Sequence, residues 1–381
     1  MVISNFHPVV GGAERQALLL SRALVQRGWR VQVLTHVQPG LPREDSVDGV
    51  LVHRCVKGCG VFYIYTITYI LSWLRHMVRL RRSYDVIHCH QIYYHGLAAV
   101  LMRLWWGKQV LIKCVSTGDW SDVGLMVRRR FGRLTLGLLR RHARFICISR
   151  SVVRDMETLG CPREQLLMIP NGVDTLYFAP AIGVQREPGH VLFVGRLTAL
   201  KNIPILLRAF RMVLDKRPGL RLSLAGDGEE RPGVERLTAE DPLLREHVRI
   251  LSQVQDVRPL YQRCSLFVLP SVVEGLSNAM LEAMACGCPV VATAVGGNLD
   301  LLDPEGRASE GLPDQDSGFL VTPCGILVRP GDENALAAAI LKMLDDYDLR
   351  YECGRRALRL IEERYSLQRV IERIEAAYLE R

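Results

Sequence analysis

Short apolar runs that alternate with amphipathic stretches most constrain the fold of this sequence. In the first half, a strand tail at residues 1–4, a helix at 13–26 and a strand at 31–35 follow one another. The alternation restarts with a buried strand at 191–194 and a helix that has Pro204 near its first turn. Strand, helix, strand order implies a parallel sheet with right-handed crossovers. We therefore expect an α/β fold built on two such sheets.

Further elements are predicted along both halves, and residues 162–188 read as a domain boundary because prolines and glycines recur there. Strands are predicted at residues 50–55, 86–89, 110–115, 145–148, 220–225, 248–251, 265–269, 289–292 and 326–328. Helices are predicted at 61–80, 128–144, 149–158, 334–344, 349–364 and 367–379, and residues 304–324 read as a loop-like insertion.

Size and composition narrow the class of protein. A chain of 381 residues with 49% hydrophobic content can bury a large core, and its length favours two domains. The eleven cysteines form no CxxC pair and have no metal-site spacing, so reduced cytosolic thiols are expected. The apolar run at 61–74 is shorter than the ~20 residues that cross a bilayer, and no secretory signal opens the chain. These features favour a cytoplasmic protein.

Positive charge is concentrated in the first half. Residues 1–180 hold 24 Lys and Arg against 11 Asp and Glu, a net charge of +13, whereas the remainder holds 25 against 29, a net charge of −4. Such a surface suits nucleic acid, an anionic membrane or an acidic substrate, and no nucleic-acid-binding signature accompanies it. The basic, leucine-rich stretch at 128–144 could rest on an anionic bilayer or could pack on the sheet as an ordinary helix.

Two carboxylates flank a predicted helix start at residues 271–293. Glu274 lies in the loop after a strand, Ser277 can cap the helix, and Glu282 lies more than one turn into it. The amides of residues 275–279 point out of the helix N-terminus, where a phosphate is favoured. If all eight steps were helical, the glutamates would be ~12 Å apart, about the reach of a nucleotide sugar from hexose to ribose. The alternative is that both are ordinary acids near a helix start.

Two cations are expected at the same sheet edge as Glu274. Arg196 follows the strand at 191–194, and Lys201 precedes the next helix. Ligands of open α/β sheets bind at the carboxyl ends of the strands. An arginine fork and a lysine point charge there suit a diphosphate, and solvated surface charge is the alternative.

Two smaller signals occur in the first half and one in the second. Gly11 and Gly12 open a helix after a strand, which fits an anion loop or a plain tight turn. His88 and His90 share one side of a strand without a third metal ligand, so His90 is expected to line a site or to pack in the core. Gly226 ends the strand at 220–225.

Seven segments, in this order, resemble the retaining family 4 glycosyltransferases of the GT-B fold. They are GGAERQALLLSRAL from Gly11, DVIHCH ending at His90, IPNGVD from Ile169, VGRLTALKN from Val194, LAGDGEE from Leu224, EGLSNAMLEAMACGCPVV from Glu274, and PGD from Pro330. The resemblance implies two Rossmann-like α/β/α domains facing each other across a cleft. The expected domains are residues 1–180, with 365–381 crossing back onto them, and residues 181–364.

The resemblance also implies roles for the candidate residues. Glu282 would bind the ribose, and Glu274 the hexose of the donor. Arg196 and Lys201 would hold the diphosphate and stabilise its charge as the glycosidic bond breaks. Further donor contacts are expected from residues of both halves, namely Gly275, Leu276, Ser277, Asn278, Gly226, Gly11, Gly12 and His90. No cofactor and no metal would be required.

The implied function is retaining transfer of a hexose from a nucleotide sugar, UDP first and GDP next. The acceptor would be a glycan or a lipid-linked acceptor in cell-surface polysaccharide or glycolipid synthesis, with peripheral contact to the inner face of the cytoplasmic membrane. The sequence departs from the family in Thr117, which stands in place of a usual histidine, in an unusually short first strand and in the longer segment 304–324. Thr117 and the short first strand keep a weak or silent nucleotide-sugar-binding partner subunit open as the alternative, beside a sugar-nucleotide epimerase of the same fold.

Overall fold

The structure is a computed structural model and describes residues 1–9, 11–59, 62–116, 118, 122–128, 132–252, 254–308 and 317–380. The chain divides into two units: unit 1 comprises Met1–Gly172 and Leu367–Arg381, and unit 2 comprises Val173–Ser366. The predicted boundaries, at 180/181 and 364/365, lie eight and two residues from these positions.

The elements up to residue 172 are as follows. The strands are β1 (Gln32–His36), β2 (Glu44–Val47), β3 (Val50–Val56), β4 (Val86–His90), β5 (Gln109–Cys114), β6 (Arg144–Cys147) and β7 (Leu166–Met168). The helices are α1 (Gly12–Gln26), α2 (Phe62–Arg79), α3 (Tyr94–Trp106), α4 (Asp122–Val127), α5 (Gly132–His142) and α6 (Arg150–Thr158).

The remaining elements continue the alternation. The strands are β8 (His190–Val194), β9 (Arg221–Ala225), β10 (Val248–Leu251), β11 (Leu266–Leu269), β12 (Val290–Thr293), β13 (Phe319–Thr322) and β14 (Gly325–Val328). The helices are α7 (Ile203–Lys216), α8 (Arg231–Glu240), α9 (Pro242–His247), α10 (Arg258–Arg263), α11 (Asn278–Ala285), α12 (Gly297–Leu302), α13 (Glu333–Asp345), α14 (Tyr347–Leu360) and α15 (Leu367–Leu379). A π-helical segment, Ile361–Tyr365, follows α14.

Unit 1 has a sheet in which the first residues of the chain join two sets of strands. The sets β1-β3-β2 and β4-β5-β6-β7 are linked by Val2, which pairs in parallel with Leu34 of β1 and with Cys89 of β4. The Val2 N–H donates to the His88 carbonyl at 2.8 Å, and the Val2 carbonyl accepts from the His90 N–H at 2.8 Å. The chain continues from Val2 to β1, which lies on one side of Val2 in the sheet. From β4, which lies on the other side of Val2, it continues outward to β5. The strand order therefore reverses between Val2 and β4.

Unit 2 has a seven-stranded sheet of order β10-β9-β8-β11-β12-β14-β13, parallel except for the last pair. Starting from β8, the chain adds β9 and β10 on one side and then returns to add β11, β12 and β14 on the other. The side chains of β8, β11 and β12 are buried throughout, as expected for strands covered on both faces. This order is that of a doubly wound Rossmann-like sheet, with its switch point between β8 and β11.

Several elements differ from the sequence prediction. The helix predicted at 128–144 is only the shorter α5, preceded by α4, and residues 129–131 between them lie outside the described residues. The segment 162–188, interpreted as a linker, contributes β7, and the insertion 304–324 contributes β13. Both strands lie at a sheet edge, where a clear apolar pattern is not required because one side has no neighbouring strand. The hairpin strand β2 and helix α3 were not predicted.

Candidate active site

The candidate residues of unit 2 lie at the switch point of its sheet. Arg196 and Lys201 are in the segment from β8 to α7, and Glu274 is in the segment from β11 to α11. Because β8 and β11 are neighbours, these segments leave adjacent strand ends. The Val272 N–H donates to the Leu200 carbonyl at 2.8 Å, which ties the segments together. The predicted proximity of Arg196, Lys201 and Glu274 at one sheet edge thus has a structural basis in the strand order.

An ion pair between Lys201 Nζ and Glu274 Oε1 forms the centre of this edge. Glu274 is only 8% exposed, and its Oε1 also accepts a hydrogen bond from Ser271 Oγ at 2.7 Å. Ser271 is in turn fixed by its carbonyl, which accepts from Thr293 Oγ1 of β12 at 2.6 Å. Three neighbouring segments therefore orient the carboxylate before any ligand arrives, an arrangement typical of a preorganised site.

Arg196 differs from Lys201 in that its guanidinium is exposed and makes no ion pair or hydrogen bond with a described residue. Its backbone is held, because the following Leu197 N–H donates to the Asp227 carbonyl at 2.9 Å. The guanidinium is a fork of donors on an anchored backbone, suited to a phosphate or carboxylate.

Glu282 lies in the second turn of α11 and is partly buried. Its Oε2 accepts a hydrogen bond from the hydroxyl of Tyr261 of α10 at 3.0 Å. Burial, reinforced by the Glu282 charge, raises the pKa of Tyr261 well above its usual value, so the phenol remains a donor. The sequence analysis did not identify Tyr261, because nothing in its local pattern shows which helix packs beside α11.

The start of α11 was predicted correctly, but the spacing expected between Glu274 and Glu282 assumed too long a helix. Ser277 Oγ accepts from the Met280 N–H at 3.3 Å, so Ser277 caps the helix as predicted. Asn278 is the first helical residue, so half of the eight steps between Glu274 and Glu282 run through a loop. The premise of the ~12 Å estimate is therefore wrong.

The loop before α11 is packed against α12. Gly275 and Leu276 are both buried, and a Cβ on Gly297 would lie 2.3 Å from the Gly275 carbonyl oxygen. The Gly297 N–H also donates to the Glu274 carbonyl at 3.4 Å. These contacts fix the backbone that leads from Glu274 to the helix N-terminus, and the predicted donor contacts of Gly275 and Leu276 remain predictions.

Gly226 follows β9 and approaches the backbone of the neighbouring segment closely. Its φ is +151°, and a Cβ there would lie 1.9 Å from the carbonyl oxygen of Gly195. Gly226 thus permits the β9 loop to pack against the segment that carries Arg196. This structural role accounts for the glycine, and direct donor contact remains a prediction.

The candidate residues of unit 1 lie at the other switch point. Gly11 is the N-cap of α1 in extended conformation, and a Cβ on it would lie 2.1 Å from Glu14 Oε2. Gly12 is exposed as the first residue of α1. His90 is 1% exposed, stacks on His88 with ring centroids 4.5 Å apart, and contacts Met1 Sδ at 3.4 Å. Its burial favours core packing, so the predicted donor contact of His90 gains no support.

Two segments that the sequence analysis singled out lie wholly or partly outside the described residues. Thr117 lies outside the described residues, as do residues 309–316 of the insertion.

Among the described residues, no group of three or more His, Cys, Asp or Glu side chains is placed to hold a metal ion. Within the same part of the chain, no helix combines the length and apolarity needed to cross a membrane.

Comparison with known proteins agrees with this geometry. Residues 188–346 match the family described as glycosyl transferases group 1, and residues 10–176 match glycosyltransferase family 4. An uncharacterized glycosyltransferase of Methanocaldococcus jannaschii is 27% identical over 96% of this chain and 94% of its own length. The N-acetyl-alpha-D-glucosaminyl L-malate synthase of Bacillus anthracis is 24% identical over 98% and 94%.

A solved structure shows the same fold. The crystal structure of Anabaena HepE in complex with UDP and glucose superposes with a TM-score of 0.76 at 18% identity, covering 100% of this chain and 99% of that one. The two family matches follow one another along the chain in the two halves that form the two Rossmann-like sheets. This chain belongs to the family 4 glycosyltransferases of the GT-B fold.

Proposed function

We propose that this chain transfers a hexose, with retention of configuration, from a nucleoside diphosphate sugar to a glycan or lipid-linked acceptor in cell-surface polysaccharide or glycolipid synthesis. UDP is the first candidate for the nucleotide, as in the HepE complex of similar fold, and GDP is the next. The observation that carries the proposal is the Lys201–Glu274 ion pair at the switch point of unit 2, beside the exposed Arg196.

Each part of the donor is assigned to the residues whose side-chain chemistry suits it. Arg196 and Lys201 hold the diphosphate, because a guanidinium fork and an ammonium together balance its charge. Glu282 accepts hydrogen bonds from the ribose hydroxyls while Tyr261 keeps its carboxylate in place. Glu274 accepts from the hexose hydroxyls, and the amides that lead into α11 assist as donors to anionic oxygen.

The proposed reaction proceeds on one face of the hexose. The bond from the anomeric carbon to the β-phosphate oxygen breaks, and the acceptor oxygen forms the new bond on the same side. The acceptor proton passes to the departing phosphate, so the products are the glycoside and the nucleoside diphosphate. Arg196 and Lys201 stabilise the charge that develops on the phosphate, which is the role of a metal ion in other transferases. We therefore propose that no metal is required, so that activity persists in a chelator.

Peripheral contact with an anionic membrane, on the cytoplasmic side, is part of the proposal. Helix α5 buries Leu136 and Leu139 but exposes Leu134, whose exposed fraction is 74%, between basic residues such as Arg133 and Arg141. An apolar side chain among arginines suits the boundary of an anionic bilayer. Flotation with phosphatidylglycerol vesicles at low salt tests this contact, and a protein that stays at the bottom of the gradient rules it out.

A donor screen tests the function itself. UDP, GDP and ADP hexoses are compared by thermal shift, and the stabilising donor is then assayed for transfer to membrane-derived acceptors. We expect UDP sugars to stabilise the protein most, and transfer to give the anomer of the donor. Inversion would contradict the proposed reaction, and binding without transfer to any acceptor would favour the silent partner subunit.

A further inference from the structure

Helix α2 of unit 1 carries two stripes of side chains that differ in exposure. The inner stripe is buried and consists of Tyr69, Trp73 and Met77. The outer stripe recurs at the same interval of four residues, is exposed, and consists of Ile67, Leu71, Arg75 and Arg79. Ile67 and Leu71 are 60% and 55% exposed. The outward side of a packed helix is ordinarily polar, so the first half of the outer stripe is unusually apolar.

A second group of exposed apolar side chains ends α3. Leu104, Trp105 and Trp106 are consecutive, and the two tryptophans are 56% and 42% exposed. Their rings meet edge to face, with centroids 5.5 Å apart. Single exposed apolar side chains are ordinary on a protein surface. Two neighbouring tryptophans beside an exposed leucine form a contiguous patch, and such patches mark interaction sites.

Arg81 connects the two groups. It lies two residues after the end of α2, and its guanidinium carbon is 5.8 Å from the centroid of the Trp106 ring. The tryptophans of α3 are therefore next to the end of α2 at which the outer stripe finishes with Arg79. We call this surface the α2–α3 face and define it as the outer stripe of α2, Arg81, Trp105 and Trp106.

The charge around this face is almost entirely positive. Residues 62–108, which span α2 and α3, contain six Lys and Arg and a single acid, Asp85. Lys108 Nζ lies 3.9 Å from the Asp85 carboxylate, so these two charges offset each other. The other five cations are not buried and form no ion pair with a described residue, and they are Arg75, Arg79, Arg81, Arg82 and Arg103. The α2–α3 face thus combines apolar side chains with uncompensated positive charge.

This combination fits an anionic bilayer better than a second copy of the chain. A two-fold interface would bring the same face of both copies together and set arginines against arginines, which is unfavourable. At a bilayer, tryptophan rings lie at the level of the headgroups and arginines remain among the lipid phosphates. Aliphatic side chains such as Ile67 and Leu71 reach the acyl boundary, as in helices that lie in the interface.

We propose that unit 1 binds an anionic bilayer through the α2–α3 face, with Trp105 and Trp106 inserted at the level of the headgroups. The inference rests on the peripheral membrane contact of the proposed function and names the surface that makes it. Leu134 of α5 then adds only a minor contact.

The test measures binding to vesicles and needs neither donor nor acceptor. Partition coefficients are determined by flotation at low salt, with vesicles of equal parts phosphatidylglycerol and phosphatidylcholine. The unmodified protein is compared with Trp105→Ala/Trp106→Ala. The matched control is Tyr347→Ala/Tyr351→Ala, which removes a stacked pair of exposed aromatic rings from α14 of unit 2. Circular dichroism and size-exclusion chromatography report the folding and oligomeric state of each variant.

We expect the tryptophan variant to lower the partition coefficient at least about tenfold, and the tyrosine variant to leave it unchanged. Arg75→Gln/Arg79→Gln should also lower it about tenfold, because each arginine near an anionic surface contributes to binding. Added salt should weaken the binding of the unmodified protein, since the attraction between arginines and lipid phosphates is screened.

A second measurement reports the position of the tryptophans directly. Vesicles of the same composition with brominated acyl chains quench the emission of tryptophans that lie in the bilayer. Trp105→Phe/Trp106→Phe keeps aromatic rings on the face, so it should still float with the vesicles. Its remaining emission should lose most of the quenching seen in the unmodified protein, and equal quenching in both would contradict the insertion of Trp105 and Trp106.

Three further results would overturn the proposal. Unchanged partitioning of Trp105→Ala/Trp106→Ala, or a loss confined to Leu134→Ala, would place the membrane contact elsewhere on the protein. A dimer that becomes a monomer in the tryptophan variant would assign the face to a second copy of the chain. Absence of vesicle binding by the unmodified protein would remove the membrane contact altogether, whereas the donor screen would still test the transferase function separately.

Discussion

Both units place a lysine near the carboxyl edge of a doubly wound sheet, but the two lysines have opposite surroundings. Lys201 of unit 2 is partly exposed and paired with Glu274, which is held by Ser271. Lys113 of unit 1 is buried and has no acidic partner among the described residues. Lys201 therefore has a carboxylate partner before a ligand binds, whereas Lys113 has none among the described residues.

The two lysines therefore differ in whether the protein itself compensates their charge. A preformed ion pair fixes the geometry of Lys201 and Glu274, so the proposed diphosphate would bind to an arrangement that needs little reorganisation. Lys113 lacks an acidic partner among the described residues, so its charged form costs stability near neutral pH. The following predictions test each side of the comparison in order of expected effect.

The largest effect is expected from the exposed cation of unit 2. Arg196→Ala should lower kcat/KM by about a thousandfold, since it removes the donor that we propose to stabilise the charge of the departing phosphate. Arg208→Ala is the matched control, because Arg208 is also exposed in unit 2 and pairs with Glu333. Steady-state assays with unchanged circular dichroism check the result, and turnover equal to that of the control would remove Arg196 from the site.

The next effect concerns the pH dependence of unit 1. The pKa of folded Lys113, about 8, lies below the usual 10.5, so between these values the unfolded chain binds a proton that the folded chain does not. Stability therefore rises with pH across this window. Relative to Lys113→Met, the unmodified protein should gain about 3 kcal/mol between pH 7 and pH 10.5.

Neighbouring groups do not titrate in that window. Burial lowers the pKa values of His88 and His90, lowers that of the Met1 amino group to about 6, and raises that of Tyr378. Urea denaturation of both proteins at several pH values checks the prediction. A stability difference that does not vary with pH would show that Lys113 titrates normally in the folded state.

A smaller effect is expected from the loop that supports Arg196. In Gly226→Ala, the new Cβ would lie 1.9 Å from the Gly195 carbonyl oxygen, so the loops must separate. We expect a loss of about 2 kcal/mol in stability and weaker donor binding. Gly233→Ala is the control, since its Cβ would come no closer than 3.9 Å to Glu230, and it should stabilise α8 slightly. Equal stability of the two variants would contradict the close approach.

The smallest effect is the coupling within the ion pair of unit 2. Lys201→Met and Glu274→Gln should each destabilise the protein, and the double variant should lose about 1 kcal/mol less than their sum. A double-mutant cycle on the free energy of unfolding measures this term. Strict additivity would mean that the pair is not formed in solution, and the contrast with Lys113 would then disappear.

The sequence predicted the local parts of this site well. Ser277 was identified as a helix cap, and the apolar runs that became β8 and β11 placed Arg196, Lys201 and Glu274 at strand ends. These features depend on residues close together in the chain, for which periodicity and capping rules suffice.

The parts that were missed depend on contacts between distant residues. The pairing of β8 with β11 brings Lys201 next to Glu274. It depends on the order of the strands in the sheet, and no local sequence pattern shows it. The same holds for Tyr261 beside Glu282. Lys113 lies in a mostly apolar strand, and only the packing of α1 and α15 on that face shows that its charge is buried. His90 was expected to line a site or to pack in the core, and it stacks on His88 in the core.

The central claim is that Glu282 binds the ribose and Glu274 the hexose of one donor. Calorimetric titration of Glu282→Gln and Glu274→Gln with UDP and with a UDP hexose tests it most directly. We predict that Glu282→Gln weakens both ligands about tenfold, whereas Glu274→Gln binds UDP normally and loses only the additional affinity that the hexose provides. Loss of UDP affinity in Glu274→Gln, with normal UDP binding in Glu282→Gln, would contradict the account.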